Sequence, residues 1–329
     1  MLESSMMCGW SGAHDCAEGT SGRYRERLTH PLVRHRDKLR QASWDEALDA
    51  VVRRSKALLR RRSGSAFGFY STRQLLLEEY YTLDVLSRAG LGTPHVDATT
   101  SLCTATTSAA MQNVPRYALP GLLEGALPGA RHWDDPLSIQ ELARLWNVEL
   151  GRMPHESEPT HAMQILRYAE QGLVKLLWVI GTNPAVSLPD VSRTHKILQQ
   201  KGLFLVVQDA FMTETTPYAD VVLPTAIEGE KTGYLVDMQR ALHVSYQVSE
   251  PPGEARADLA ILLDYARRMS FRDKNDAPLV KWSDPAGALA SWKECARDCS
   301  YDYTDVNYAE PVMFERVACG RDMTGVGAL

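Results

Sequence analysis

The apolar positions fall into three blocks of different regularity. The first runs from Met1 to Gln112. It opens on a Gly/Ser-rich stretch without pattern, Met1 to Gly22, and a basic segment, Arg23 to Arg40. Ser43-Trp44-Asp45-Glu46 then reads as a helix start. The serine oxygen can take an orphan N–H, and the acids suit the positive end of the helix dipole. Ala47, Leu48, Val51, Val52, Ala57, Leu58 and Leu59 fall mostly on one face, which predicts a helix to near Arg62. Ser65 to Tyr70 predicts a short buried strand, and Leu75 to Ala89 a helix capped by Gly90. The second block, 113–159, is punctuated by Pro115, Pro120, Gly121, Gly125, Pro128 and Gly129. One helix is expected in it, Pro136 to Trp146, and the block as a whole reads as a junction.

The third block, 160–300, has the strongest pattern. His161 to Glu170 predicts a helix. Val174 to Ile180 is a continuous apolar run, fit for a strand buried on both faces. Gly181-Thr182-Asn183-Pro184 turns the chain into a second helix, Val191 to Gln200. Leu203 to Val207 and Val221-Val222-Leu223-Pro224 are two further strands. Strand, helix and strand joined by short loops make a βαβ unit. The expected fold class is therefore α/β, a parallel sheet with helices on both faces in the manner of dinucleotide-binding domains. Residues 1–112 would add an incomplete N-terminal α/β portion, and residues 301–329 form an unpatterned tail.

Composition narrows the possibilities. The chain has 329 residues, 44% hydrophobic and 23% charged, so it is globular, as one large domain or two ordinary ones. The net charge of -5 speaks against a nucleic-acid partner recruited by bulk charge. No apolar run reaches the roughly 18 residues of a membrane span, and Met1 to Thr20 lacks the layout of a secretory signal. Six scattered cysteines make no disulfide framework. The expected setting is cytoplasmic, with no membrane partner.

Ligands of open parallel sheets sit beyond the carboxyl ends of the strands. There this sequence places Gly181-Thr182-Asn183, Gln208-Asp209 and Glu228 to Lys231. A carboxylate at a strand end can grip a ribose diol or a guanine edge, and a lysine can meet a phosphate. Turn chemistry alone also accounts for Gly, Asn and Asp at strand ends. No G-x-G-x-x-G and no Walker loop is present. Cys103, in Ser101-Leu102-Cys103-Thr104, is either an apolar filler or a thiolate ligand or nucleophile.

The stretch from Pro159 to Met269 closely resembles the molybdopterin oxidoreductases, which bind molybdenum bis(molybdopterin guanine dinucleotide). Five pieces carry the resemblance: Pro159-Thr160-His161-Ala162-Met163-Gln164, Leu177 to Ser187, Val206 to Thr215, Ala219-Asp220-Val221-Val222-Leu223-Pro224, and Glu230-Lys231-Thr232-Gly233. In the first block, Arg27-Leu28-Thr29-His30-Pro31-Leu32-Val33-Arg34, Ser43 to Leu48, and Gly90 to His95 leading into Leu102-Cys103 are similar to the same family. The nearest look is to assimilatory nitrate reductases and formate dehydrogenase-like catalytic subunits. The resemblance implies two-electron oxygen-atom transfer at a thiolate-ligated molybdenum, with Cys103 as the ligand. It also implies an oxyanion substrate such as nitrate and an electron-donor protein as a possible partner. Gln74, Asn183, Gln208, Asp209, Lys231 and Asp258 would be cofactor contacts.

The sequence also departs from the family pattern. The family opens with a cysteine-rich segment holding a [4Fe-4S] cluster, and only Cys8 resembles one of its ligands, the last. One thiolate cannot hold a cubane, so the cluster is expected to be absent. After Gln112 a long internal section is missing from the pattern, and the C-terminal barrel region has no counterpart. The chain therefore reads as internally deleted and C-terminally truncated. Ser101, Thr99 and Asp237 replace residues usual in the family. Three readings stay open: an oxidoreductase, a non-catalytic remnant keeping part of the cofactor scaffold, and an interaction module completed by a partner chain.

Overall fold

A computed structural model describes residues 27–99, 128, 135–154, 160–236, 242–297, 306 and 308. Cys8 and Cys103 lie outside these residues. Among the described residues one sheet contains β1 (Leu32–His35), β2 (Lys38–Gln41), β3 (Phe67–Ser71), β4 (Val96–Ala98), β5 (Leu176–Ile180), β6 (Phe204–Asp209) and β7 (Val221–Pro224). Its order is β2-β1-β7-β6-β5-β3-β4. The strands from β7 to β4 run parallel, and β1 joins β7 as part of an antiparallel hairpin with β2. A second hairpin pairs β8 (Gly233–Val236) with β9 (Leu242–Ser245). The helices are α1 (Trp44–Arg61), α2 (Leu77–Asp84), α3 (Pro136–Leu145), α4 (Ala162–Glu170), α5 (Pro184–Ser187), α6 (Val191–Leu198), α7 (Asp258–Met269) and α8 (Pro285–Ala296).

The sheet is covered on both faces, as the apolar runs require. Every residue of β5 is buried. Because successive side chains alternate across a strand, Trp178 and Ile180 pack with α1 and α7, while Leu177 and Val179 pack with α4 and α6. Trp178 sits edge-on to Tyr265 of α7 and stacks on Phe69 of β3. A third cluster joins α2, α3 and α8 with Tyr234 and Leu242 of the second hairpin.

Local signals explain the element ends. The Ser43 hydroxyl accepts from the Glu46 N–H at 3.1 Å, so α1 starts where the cap places it. The helix expected from Leu75 begins at Leu77, with the Glu79 carboxylate reaching back to the Leu76 N–H at 2.9 Å. It continues as a π-helical stretch, Val85–Leu91, and ends at Gly92, whose φ of 71° gives the left-handed cap. Gly90, expected as the cap, lies inside that stretch against the Phe271 ring. β6 ends at Gln208-Asp209, where Gln208 pairs with Ile180 and Asp209 with Pro224.

Topology now locates the useful edge. From β3 the chain steps outward to β4, then returns to the other side of β3 and proceeds through β5, β6 and β7. Counted from β3, the parallel order is 2-1-3-4-5, whose switch point lies between the first and third strands. Here those strands are β3 and β5.

Candidate functional site

At the switch point the ends of β3 and β5 touch. The Thr72 N–H donates to the Ile180 carbonyl at 2.7 Å, and the Gly181 N–H donates to the Gln208 carbonyl at 2.8 Å. Gly181 has φ of 58°, and a Cβ there would meet the Thr72 methyl at 2.9 Å. Glycine thus satisfies both the left-handed backbone and the close approach of two strand ends. Gln74 is exposed on the turn after β3, where the Thr72 hydroxyl accepts from its N–H at 3.2 Å.

Asn183 is the hub of the next turn. Its Oδ1 accepts from the Thr215 hydroxyl at 2.7 Å and the Thr215 N–H at 3.2 Å. Its Nδ2 donates to the Glu214 carboxylate at 2.5 Å. Asp209 closes the row at the end of β6, with Oδ1 accepting from the Phe211 N–H at 3.0 Å. Gln74, Asn183 and Asp209 therefore stand along one rim, the carboxyl ends of β3, β5 and β6.

Gln208, Lys231 and Asp258 are brought together elsewhere, on the opposite face of β6 from Asp209. Adjacent residues of a strand point to opposite sides. Gln208, fully buried, accepts from the Trp178 indole N–H at 3.0 Å and donates to Asp258 at 2.7 Å. The Lys231 ammonium donates to the other Asp258 oxygen and to both oxygens of Glu79, at 2.9 and 2.8 Å. All three N–H groups of Lys231 are thus engaged by carboxylates. The Glu79 side chain is 1% exposed and that of Lys231 8%. Beside them, Glu78 accepts from the Tyr234 N–H at 3.0 Å and from the Tyr308 hydroxyl. Glu79 and Lys231 line one wall of a cleft of about 440 Å³, together with Leu76, Thr232 and Ala257.

Burial pushes the Glu79 carboxyl up to about 7, against the opposing pull of Lys231. Burial also raises Glu78, and Tyr308 opposes that shift. Burial alone would lower Lys231, but Asp258 and Glu79 outweigh it and hold its pKa above the usual value. A carboxyl raised in the folded state binds its proton more tightly than in the unfolded chain. Its contribution to stability is complete below the ordinary value of 4.5 and is lost as pH rises toward 7. Urea midpoints of the wild type relative to Glu79→Gln should therefore fall between pH 5 and 7.5. A ratio that is flat or rises over that window contradicts the assignment.

Sequence reasoning did not single out Glu78 and Glu79. In sequence they are two acids in a first helical turn, a common dipole pairing. The available signal was the apolar setting, Leu75-Leu76-Leu77 before them and Tyr80-Tyr81 after. Among the described residues no group of three or more His, Cys, Asp or Glu side chains could hold a metal ion, and no helix is long and apolar enough to cross a membrane.

Comparison with known proteins gives three findings. The family model described as molybdopterin oxidoreductase matches residues 27–124 and 143–268, about two thirds of the chain. Among curated relatives, a nitrate reductase of Synechocystis is 39% identical over 189 residues, covering 57% of this chain and 26% of the relative. The F420-dependent formate dehydrogenase subunit alpha of Methanocaldococcus jannaschii is 34% identical over 156 residues, covering 47% and 22%. The chain thus spans about a quarter or less of the length of these relatives. In fold it is similar to acetylene hydratase from Pelobacter acetylenicus, with a TM-score of 0.55 at 14% identity over 87% of this chain and 66% of that one.

Proposed function

Because the chain belongs to the molybdopterin oxidoreductase family, we propose that its sheet carries the nucleotide-binding part of a molybdenum–pterin oxidoreductase of nitrate reductase type. The observation that carries this reading is the rim at the β3/β5 switch point. There a glycine with positive φ, an exposed glutamine, a buried amide and a buried carboxylate stand in a row, in the place where open α/β sheets take nucleotides.

The described residues fit the guanine dinucleotide end of such a cofactor. Asp209 offers a carboxylate suited to the N–H edge of guanine or to a ribose diol, Gln74 an amide, and Gly181 a backbone without side-chain bulk. Asn183 holds the 213–215 turn and so shapes the rim from below. Gln208, Lys231 and Asp258, with their polar atoms engaged internally, belong to the support of the same site. When bound, the metal–pterin group supplies two-electron oxygen-atom transfer, as from nitrate to nitrite, and Cys103 would be its thiolate ligand. This chain's share of the work is to bind and orient.

A second reading keeps the scaffold without the chemistry. The internal engagement of Lys231 favours it, since a fully paired ammonium offers no N–H to a phosphate. Elemental analysis separates the two. The full chain purified from molybdate-replete cells should carry molybdenum near one atom per chain, lost in Cys103→Ala, and nitrate is then the first substrate to try. Absence of molybdenum from both samples rejects the oxidoreductase reading and leaves the scaffold.

A further inference from the structure

One polar chain crosses the core behind the rim. It runs from Glu79 on α2 through Lys231 to Asp258 at the start of α7, then to Gln208 on β6 and Trp178 on β5. Five separate segments meet in it, and Gln208 and Glu79 are both at most 1% exposed. Both ends of the Gln208 amide are tied, its oxygen taking the indole N–H and its nitrogen serving Asp258, so the amide is held in one orientation. The next residue is Asp209, the carboxylate of the rim. Anything that changes how Asp258 holds Gln208 is therefore felt at the carboxyl end of β6.

We propose that Glu79 is a positioning residue for the rim: through Lys231, Asp258 and Gln208 it fixes the end of β6, and its protonation state is transmitted to Asp209. The inference rests on reading the rim as a nucleotide site. Hydrogen bonds in series polarise one another in a low-dielectric interior, so a proton gained at one end alters the others. The cleft along Glu79 and Lys231 gives that proton a path to solvent. Among the described residues, the charged and titratable groups facing Glu79 are few. Glu78 shares its helix and is held by Tyr308 and the Tyr234 N–H. Glu230, beside Lys231, is tied to Arg27 by two bonds of 2.7 Å. Asp258 is the counter-anion across the ammonium, and Glu250 and Asp284 stand at the cleft wall. With Glu79 ionised, the Glu79–Lys231–Asp258 group carries one net negative charge; with Glu79 protonated it carries none. A phosphate-bearing ligand is thus held more weakly as Glu79 loses its proton.

The test uses the full chain with its seven tryptophans labelled with nitrogen-15, the Trp178 indole N–H being assigned with Trp178→Phe. In the wild type this resonance should shift in a single step with a midpoint near 7, and the step should be missing in Glu79→Gln. In parallel, GDP affinity is measured from pH 6 to 8. The phosphate's own titration near pH ~6 is common to both proteins and cancels in the ratio of their dissociation constants. That ratio, wild type over Glu79→Gln, should rise several-fold across the range. A wild-type indole that does not titrate, or a step that survives in Glu79→Gln, overturns the proposal whether or not GDP binds. A flat ratio with clear GDP binding overturns it as well. If the indole behaves as expected but no GDP binds at any pH, the link from Glu79 to β6 is supported and the nucleotide reading of the rim is what fails.

Discussion

Replacing Lys231 with methionine is expected to destabilise the fold by about 3–5 kcal/mol, the usual cost of removing one partner from a buried ion pair. Lys231 supplies the ammonium between Glu79 and Asp258, which are themselves buried. Without it the two carboxylates face each other with the Glu78 carboxyl close behind, and one or both must take up a proton to remain inside. The loss should therefore be larger at pH 8 than at pH 5.5. A triple variant, Lys231→Met with Glu79→Gln and Asp258→Asn, removes the uncompensated charge and should recover most of the deficit. Urea unfolding followed by tryptophan fluorescence gives each value. A loss below about 1 kcal/mol for Lys231→Met, in the range of an exposed pair, would mean that water already screens the group and that the buried network is not a structural bolt.

The same residues show what the sequence could and could not disclose. Leu176–Ile180 and Val221–Pro224 are strands buried throughout, so their composition alone announces them. The β1–β2 hairpin has no such signature. Arg34, Lys38 and Arg40 break any apolar alternation, because the edge of a sheet is solvated. At the site, Asn183, Gln208 and Asp209 could be placed at strand ends from turn chemistry and strand spacing. Their division between two faces follows from the pleat, once β6 is known to extend through Asp209. Glu79 had no such handle. Its partner Lys231 is 152 positions away, and neither residue type signals burial when read in its local stretch. The family resemblance assigned Lys231 a contact to ligand, and only the packing of α2 against α7 and the second hairpin reveals how fully its donors are engaged.

The rim itself makes the other large prediction. Asp209→Asn keeps an oxygen that can accept from the Phe211 N–H and leaves the main-chain bond from the Thr225 N–H to the Asp209 carbonyl untouched, so the turn should persist. What is lost is the negative charge that strengthens a bond from a guanine N–H edge or a ribose hydroxyl. GDP affinity of the full chain should fall at least tenfold, about 1.4 kcal/mol, and this loss should exceed any fall in stability. Asn183→Ala should behave in the reverse order. It strips the acceptor from the buried Thr215 N–H and hydroxyl, and leaving such groups unpaired costs about 1–3 kcal/mol. Stability should therefore drop first, with binding following from a loosened 213–215 turn. Isothermal titration with GDP beside urea unfolding separates the two. If Asp209→Asn binds GDP as tightly as the wild type, the carboxylate at the end of β6 is turn chemistry, and the nucleotide contact must come from the β3 and β5 ends alone. If both variants lose stability in equal measure, Asp209 and Asn183 form one structural unit, and the division of the rim into a contacting carboxylate and a supporting amide is wrong.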